Sequence, residues 1–330
     1  MVHRSIRDQP HFTGGSQMNS EPSTAMNPWR QIRLAIDHFW MRPADLRTLD
    51  LMRRCYGILL LIYVGALWVD RHKFFASGSF LPSEAARGVL DPDALNIYTL
   101  LPDDPFSITL SLLLLASAGV CLILGYFPRV TATAALCLLT LVQHSNMMLC
   151  DAEDTVFRLF AFFFVFAPPW KELKAASADN PQTGFPVWPI RFFQLQMCII
   201  YFCAGIQKSN GAEWIDGTAV YYTLRLDDMT MFHLPGWMAE SVNWLRALTW
   251  GTLVFELLFP FLIWNRWCRW PCLCVALLFH LMLEYSFNLH LFHPIMLVGL
   301  MSFVSFDEWQ ALWQRVSRRL PASGAQQPSA

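Results

Sequence analysis

A chain of 330 residues that is 55% hydrophobic and only 15% charged is too apolar for an ordinary soluble domain, where about a quarter of residues carry charge. The net charge of −1 gives no electrostatic case for binding nucleic acid, so no nucleic-acid partner is expected. The nine cysteines are an odd number and most lie in apolar runs, so they read as small apolar residues rather than a disulfide framework.

Residues 1–28 are polar and rich in Ser, Gly, Pro and Asn, and a disordered N-terminal tail is expected there. Residues 29–50 mix aromatics with Arg30, Arg33, Arg42 and Arg47, the pattern of an interfacial helix. Eight apolar runs follow, at about 53–70, 106–127, 130–149, 155–169, 189–207, 247–264, 269–288 and 290–306, several of them short for a full span. A short amphipathic helix over 307–319 and a loose tail over 320–330 complete the chain. The expected fold is all-α: a polytopic integral membrane helical bundle of about eight transmembrane helices in one membrane domain, 29–319, with the lipid bilayer as its first partner.

Charge placement orients that bundle. With both termini inside, the inner segments collect Arg42, Arg47, Arg53, Arg54, Arg129, Lys171, Lys174, Arg266, Arg269, Arg315, Arg318 and Arg319. The outer loops carry Arg71, Lys73, Arg87, Lys208 and Arg225, and this asymmetry favours an N-in/C-in topology. A multi-pass protein of the bacterial inner (cell) membrane is expected. The acidic link Asp151-Ala152-Glu153-Asp154, Lys208, the loop from Trp214 to Tyr222 and the His290/His293 turn then all fall on the outer, periplasmic or lumenal side.

Ionisable groups inside apolar runs are costly and call for a partner or a purpose. Lys208 closes the apolar stretch that begins at Pro189, immediately before Ser209-Asn210-Gly211. It reads either as a snorkelling anchor or as a desolvated amine able to act as a base. Glu256 sits mid-run in TLVFELLFPF, as a buried acid that is neutral or paired with Arg158 or Arg191, or as a relay or substrate contact. His280 and Glu284 lie one helical turn apart, with Asn288, His290 and His293 beyond them. Together with His144, Asp151 and Asp154 they lack a diagnostic ligand spacing. A hydrogen-bonded cluster lining a polar cavity is expected, and no metal. His144 with Asn146 reads as interfacial capping.

The run Q-x-x-x-x-Y-F-x-A-G-I-Q-K from Gln196 to Lys208, followed by Trp214-Ile215-Asp216-Gly217 and by Tyr221-Tyr222, resembles the HTTM (horizontally transferred transmembrane domain) family, which includes the vitamin K-dependent gamma-carboxylases. Phe80-Leu81-Pro82, the segment around Glu256, and Phe279-His280 with Phe287, Phe292 and Met296 are similar to further parts of the family pattern. The resemblance covers about Arg47 to Phe306. It implies an enzyme in which a reduced quinone (vitamin K or menaquinol) and O2 yield a strong base for carbon-acid deprotonation and carboxylation. It implies Lys208 as the base that deprotonates the quinol, His280 as the group that orients the quinone oxygen, and Glu256 as a structural acid. Trp214, Asp216, Tyr221, Tyr222, Glu256 and Glu284 are the expected cavity and substrate contacts, and a peptide or protein substrate on the outer face is the implied partner.

Some positions depart from the pattern. Gln207 stands where a basic residue is expected, and Pro168-Pro169-Trp170 where a second histidine is. The large lumenal domain of the animal carboxylase has no counterpart after Phe306, so propeptide recognition is not expected. The alternative reading is a non-catalytic quinone- or lipid-binding membrane protein or scaffold. A transporter ranks below both, because no inverted repeat is evident.

Overall fold

The computed structural model describes residues 27–75, 104–145, 150–169, 171–173, 184–226, 230–287, 289 and 291–318. The expectations for Phe80-Leu81-Pro82, Asn146, Trp170, Asn288, His290 and most of both tails lie outside the described residues. Two compact units are present, Met1–His38 and Phe39–Ala330. In the first, the described residues belong almost wholly to α1 (Pro28–Met41), a helix that buries none of its residues.

The second unit is almost entirely helical. Its longer helices are α2 (Arg47–Phe74), α3 (Pro105–Leu124), α4 (Pro128–Ser145), α5 (Ala152–Val165) and α6 (Trp188–Ser209). Three short helices follow, α7 (Ala212–Ile215), α8 (Ala219–Thr223) and α9 (Gly236–Ala239). Then come α10 (Val242–Leu262), α11 (Arg269–Ser286), α12 (Phe292–Leu300) with a 3-10 turn over Met301–Phe303, and α13 (Phe306–Ser317). The strand content among the described residues is one antiparallel pair, β1 (Pro43–Ala44) on β2 (Phe185–Pro186), with Pro43 opposite Pro186, plus an isolated bridge between Thr230 and Phe287.

That pairing corrects one boundary. A single interfacial helix over 29–50 is interrupted at Arg42, because a residue before proline is pushed out of the helical region and Pro43 then enters β1. Arg47 to Asp50 instead open α2.

A helix stands at each of the eight apolar runs, but the runs are not equal. Four helices (α2, α3, α6 and α10) are long and apolar enough to cross a membrane. A fifth candidate is α12 with its 3-10 turn and α13, a pair bent by 110°. Of the others, α5 has only 14 residues, a rise of roughly 21 Å against a hydrocarbon core of about 30 Å. The 18-residue α4 carries Gln143 and His144, and the 18-residue α11 carries Arg269, His280 and Glu284.

Local chemistry sets the helix ends. Asp104 caps α3 by accepting hydrogen bonds from the Phe106 and Ser107 amides, both at 2.9 Å, ahead of Pro105 at the first helical position. Gly125 closes the same helix in the left-handed region at φ +79°, where a side chain is unfavourable. Helices α2 and α3 cross where glycines meet: a Cβ on Gly57 would lie 2.9 Å from the Gly119 carbonyl oxygen. The core beneath is aromatic. Tyr56, Phe157, Phe160, Phe164 and Phe193 are fully buried, with Phe164 and Phe193 rings 4.9 Å apart.

The two ends of the helices differ in charge chemistry. At the start of α2, Asp50 pairs with Arg53 and with Arg54 at 2.8 Å. Nearby, Arg47 reaches Asp307 at 3.2 Å, and Arg269 pairs with Glu308. These contacts tie α13 to the arginine-rich ends of α2 and α11. Both cavities described below, with His144, His280 and His293, lie toward the other ends.

Candidate functional site

Tyr201, Ala204 and Lys208 recur at helical spacing along one face of α6, and Thr252 and Glu256 lie one turn apart on α10. The helices come together at Gly205. A Cβ there would sit 2.9 Å from the Leu257 side chain and 3.2 Å from its backbone nitrogen. This approach lets Lys208 Nζ donate to Glu256 Oε1 at 2.8 Å. The Lys208 side chain is 27% exposed and that of Glu256 only 5%. The ammonium also stands 5.3 Å from the Trp214 ring centroid, a cation–π contact.

The partner of Glu256 is therefore Lys208, not Arg158 or Arg191. Arg158 turns to the His144 ring at 3.1 Å. Arg191 donates to the Phe39 carbonyl and to Gln194. Gly205→Val is expected to cost about 1–3 kcal/mol by overpacking the crossing. Thermal unfolding should show the loss, and Lys208 should become more accessible to amine-reactive reagents. Unchanged stability and labelling would remove the crossing as the device that sets the pair.

A second set of polar groups meets the same space. Tyr201 OH lies 2.7 Å from His280 Nε2, and His280 Nδ1 lies 2.9 Å from His293 Nδ1. A neutral imidazole has one N–H, so the phenol and two rings order head to tail in either of two directions. In one direction His293 Nε2 is left as a donor; in the other it is an acceptor. Reversal of the chain moves a proton between its ends.

Lys208, Glu256, Tyr201, His280 and His293 line a cavity of about 300 Å³ whose other walls are mostly apolar, among them Ile200, Leu248, Phe279 and Met296. Two polar atoms in this group are buried with no hydrogen-bond partner among the described residues, Glu256 Oε2 and His293 Nε2. A buried polar atom left so costs about 1–3 kcal/mol, so the cavity is set up for a ligand that supplies hydrogen-bonding groups at both.

Trp214 lines the cavity with Lys208 and Glu256. Asp216 instead shapes a turn, accepting from the Thr218 amide at 2.9 Å and its hydroxyl at 2.6 Å. Tyr221 is exposed and covered by the Arg225 guanidinium at 3.6 Å, and Tyr222 stands beside it with ring centroids 5.3 Å apart. Glu284 is exposed near the end of α11. None of Asp216, Tyr221, Tyr222 and Glu284 belongs to the lining of this cavity.

Tyr201 and His293 complete the site without having been singled out as site residues. Tyr201 had a sequence signal, since it precedes Lys208 by two helical turns inside the same motif. His293 is among the groups expected to form a hydrogen-bonded cluster with His280, though not among the expected site residues. His144, Asp151 and Asp154 lie apart from this group, around Tyr63, Gln143 and Arg158. Among the described residues no group of three or more His, Cys, Asp or Glu is placed to hold a metal ion.

The family model of the HTTM domain matches residues 41–309. No solved structure matches the chain.

Proposed function

Because the chain belongs to the HTTM domain family, we propose that it is a quinol-dependent membrane enzyme resembling the vitamin K-dependent gamma-carboxylase. The observation that carries this reading is the pair of unpartnered buried atoms, Glu256 Oε2 and His293 Nε2, in one largely apolar cavity. A bound quinol, with O2, would supply the strong base needed to deprotonate a carbon acid, and in the family CO2 then adds to the resulting carbanion.

The protein's part is to take one proton from a ligand hydroxyl. Lys208 and Glu256 act in this as one hydrogen-bonded pair. Their shared proton passes to Glu256, and the neutral Lys208 amine receives the new one. The transfer ends with Lys208 Nζ positive, Glu256 neutral and the cavity's net charge unchanged, so no uncompensated charge is buried. The Tyr201–His280–His293 chain holds the second edge of the ring and carries a proton by reversing its direction. Tyr201→Phe should therefore lower turnover about tenfold with little change in quinol KM, consistent with the worth of one such hydrogen bond. An equal loss of stability and turnover would make the phenol structural instead.

The arginine-rich ends of α2 and α11 support placing both cavities on the periplasmic or lumenal side, in an eight-span, N-in/C-in arrangement that counts α4, α5 and α11 as shorter spans. A second reading draws on the same ion pair. A lysine committed to a buried carboxylate at 2.8 Å also serves as a fixed structural contact, which suits a non-catalytic quinone- or lipid-binding protein.

The deciding experiment uses purified protein with reduced vitamin K or menaquinol, O2 and bicarbonate, and measures quinone epoxide. Epoxide above that of a Lys208→Ala control supports the enzyme. No epoxide, with quinol still binding saturably, supports the binding reading.

A further inference from the structure

A second cavity, of about 520 Å³, lies among α2, the end of α4 and the start of α5. Its described walls carry four carboxylates, Asp70, Asp151, Glu153 and Asp154, and no Lys, Arg or His. Aromatic rings from Tyr63, Phe74 and Phe75 share the lining. Asp154 is fully engaged: it accepts from Tyr63 OH at 2.5 Å, from Gln143 Nε2 at 3.0 Å and from the Asp151 amide at 2.7 Å. Asp70 meets the exposed Lys73 at 2.6 Å. Glu153 is nearly buried and accepts from the Leu291 amide.

A carboxylate cluster is not by itself a site, but a separate observation points to a ligand. Gln143 is only 3% exposed, and its Nε2 is committed to Asp154 and to Tyr63 OH at 3.2 Å. That fixes the amide's orientation and leaves Oε1 buried in the cavity wall with no partner among the described residues. Such an acceptor lacks an N–H or O–H donor, while Asp151, Glu153 and Asp154 beside it have no Lys, Arg or His in the described walls.

We propose that this cavity binds a primary ammonium group, carried either by a small free amine or by an ethanolamine lipid headgroup. One group meets both needs: its charge answers the carboxylates, its N–H donors answer Gln143 Oε1, and the aromatic walls favour an organic cation. A quaternary ammonium has no N–H to give. A bare divalent ion lacks its ligand set here, since no group of three or more His, Cys, Asp or Glu among the described residues is placed to hold one.

The test uses full-length protein in phosphatidylcholine nanodiscs and calorimetric titration with ethanolammonium chloride. The expected result is saturable binding, weakened about tenfold by Glu153→Gln. Asp70→Asn, at the exposed edge, should weaken it without disturbing the Asp154 network. Tetramethylammonium and Mg2+ should not compete. Loss of ethanolammonium binding in phosphatidylethanolamine nanodiscs would identify the lipid headgroup as the source, and equal binding in both would identify a free amine. The proposal is overturned if ethanolammonium does not bind and the two lipids give equal thermal stability. It is overturned equally if Mg2+ displaces the amine, or if both variants bind as the unmodified protein does. None of these outcomes depends on quinol chemistry.

Discussion

Lys208→Arg should abolish quinol epoxidation, a loss of about 10²–10⁴-fold, while leaving the protein folded. Arginine keeps the positive charge, and its planar fork can meet both oxygens of Glu256, so the ion pair is retained. It does not release a proton in the working range, so the pair can no longer accept one from a ligand hydroxyl. This separates the two readings of Lys208 better than alanine, which removes the charge, the pair and the base together. Epoxide production should be read beside quinol binding. Binding retained with turnover lost is the expected pattern, and turnover equal to the unmodified protein would end the case for Lys208 as a base.

The second large effect concerns stability and is asymmetric. In Lys208→Met the Glu256 carboxylate, 5% exposed, loses its counter-charge, and a cost of about 3–5 kcal/mol is expected. In Glu256→Leu the loss should be smaller, because the Lys208 side chain is 27% exposed and keeps its contact with Trp214. The double variant Lys208→Met with Glu256→Leu should recover most of the loss, since two apolar groups of similar volume need no compensation. Unfolding of all four proteins in one detergent gives the cycle directly. Additive losses would mean that the two residues do not interact energetically, and the coupled proton transfer would fail with them.

Much of the scaffold was readable from local signals. Every apolar run holds a helix, because runs of Leu, Phe and Ile bounded by Pro, Gly and charge have few other ways to satisfy their backbone groups in lipid. Which helices are long enough to span was less evident, because the 14 residues of α5 and the polar residues of α4 and α11 lower a signal that composition alone had raised. The site followed the same division. Lys208, Glu256 and His280 each stood out as ionisable groups in apolar surroundings. Their partnerships did not, because they join residues 48, 79 and 13 positions apart, and nothing local distinguishes Lys208 from Arg158 or Arg191 as the mate of Glu256. The exposed Tyr221 and Tyr222 show the converse. Proximity in the motif made them expected contacts, while the turn at Asp216 precedes a helix that leaves both outside the cavity lining.

The abrupt 110° bend after α12 bears on where a ligand is met. From Phe292 to Phe303 the nine-residue helix and three-residue 3-10 turn rise roughly 20 Å, well short of a hydrocarbon core about 30 Å thick. In the proposed N-in/C-in arrangement, with α13 along the inner surface, His293 would fall at the depth of the acyl chains rather than in the aqueous phase. A ligand that partitions into lipid then arrives sideways, and occupancy follows its mole fraction in the bilayer instead of its aqueous concentration. Diluting the bilayer with inert lipid at constant bulk quinol should lower the rate as a fall in substrate would.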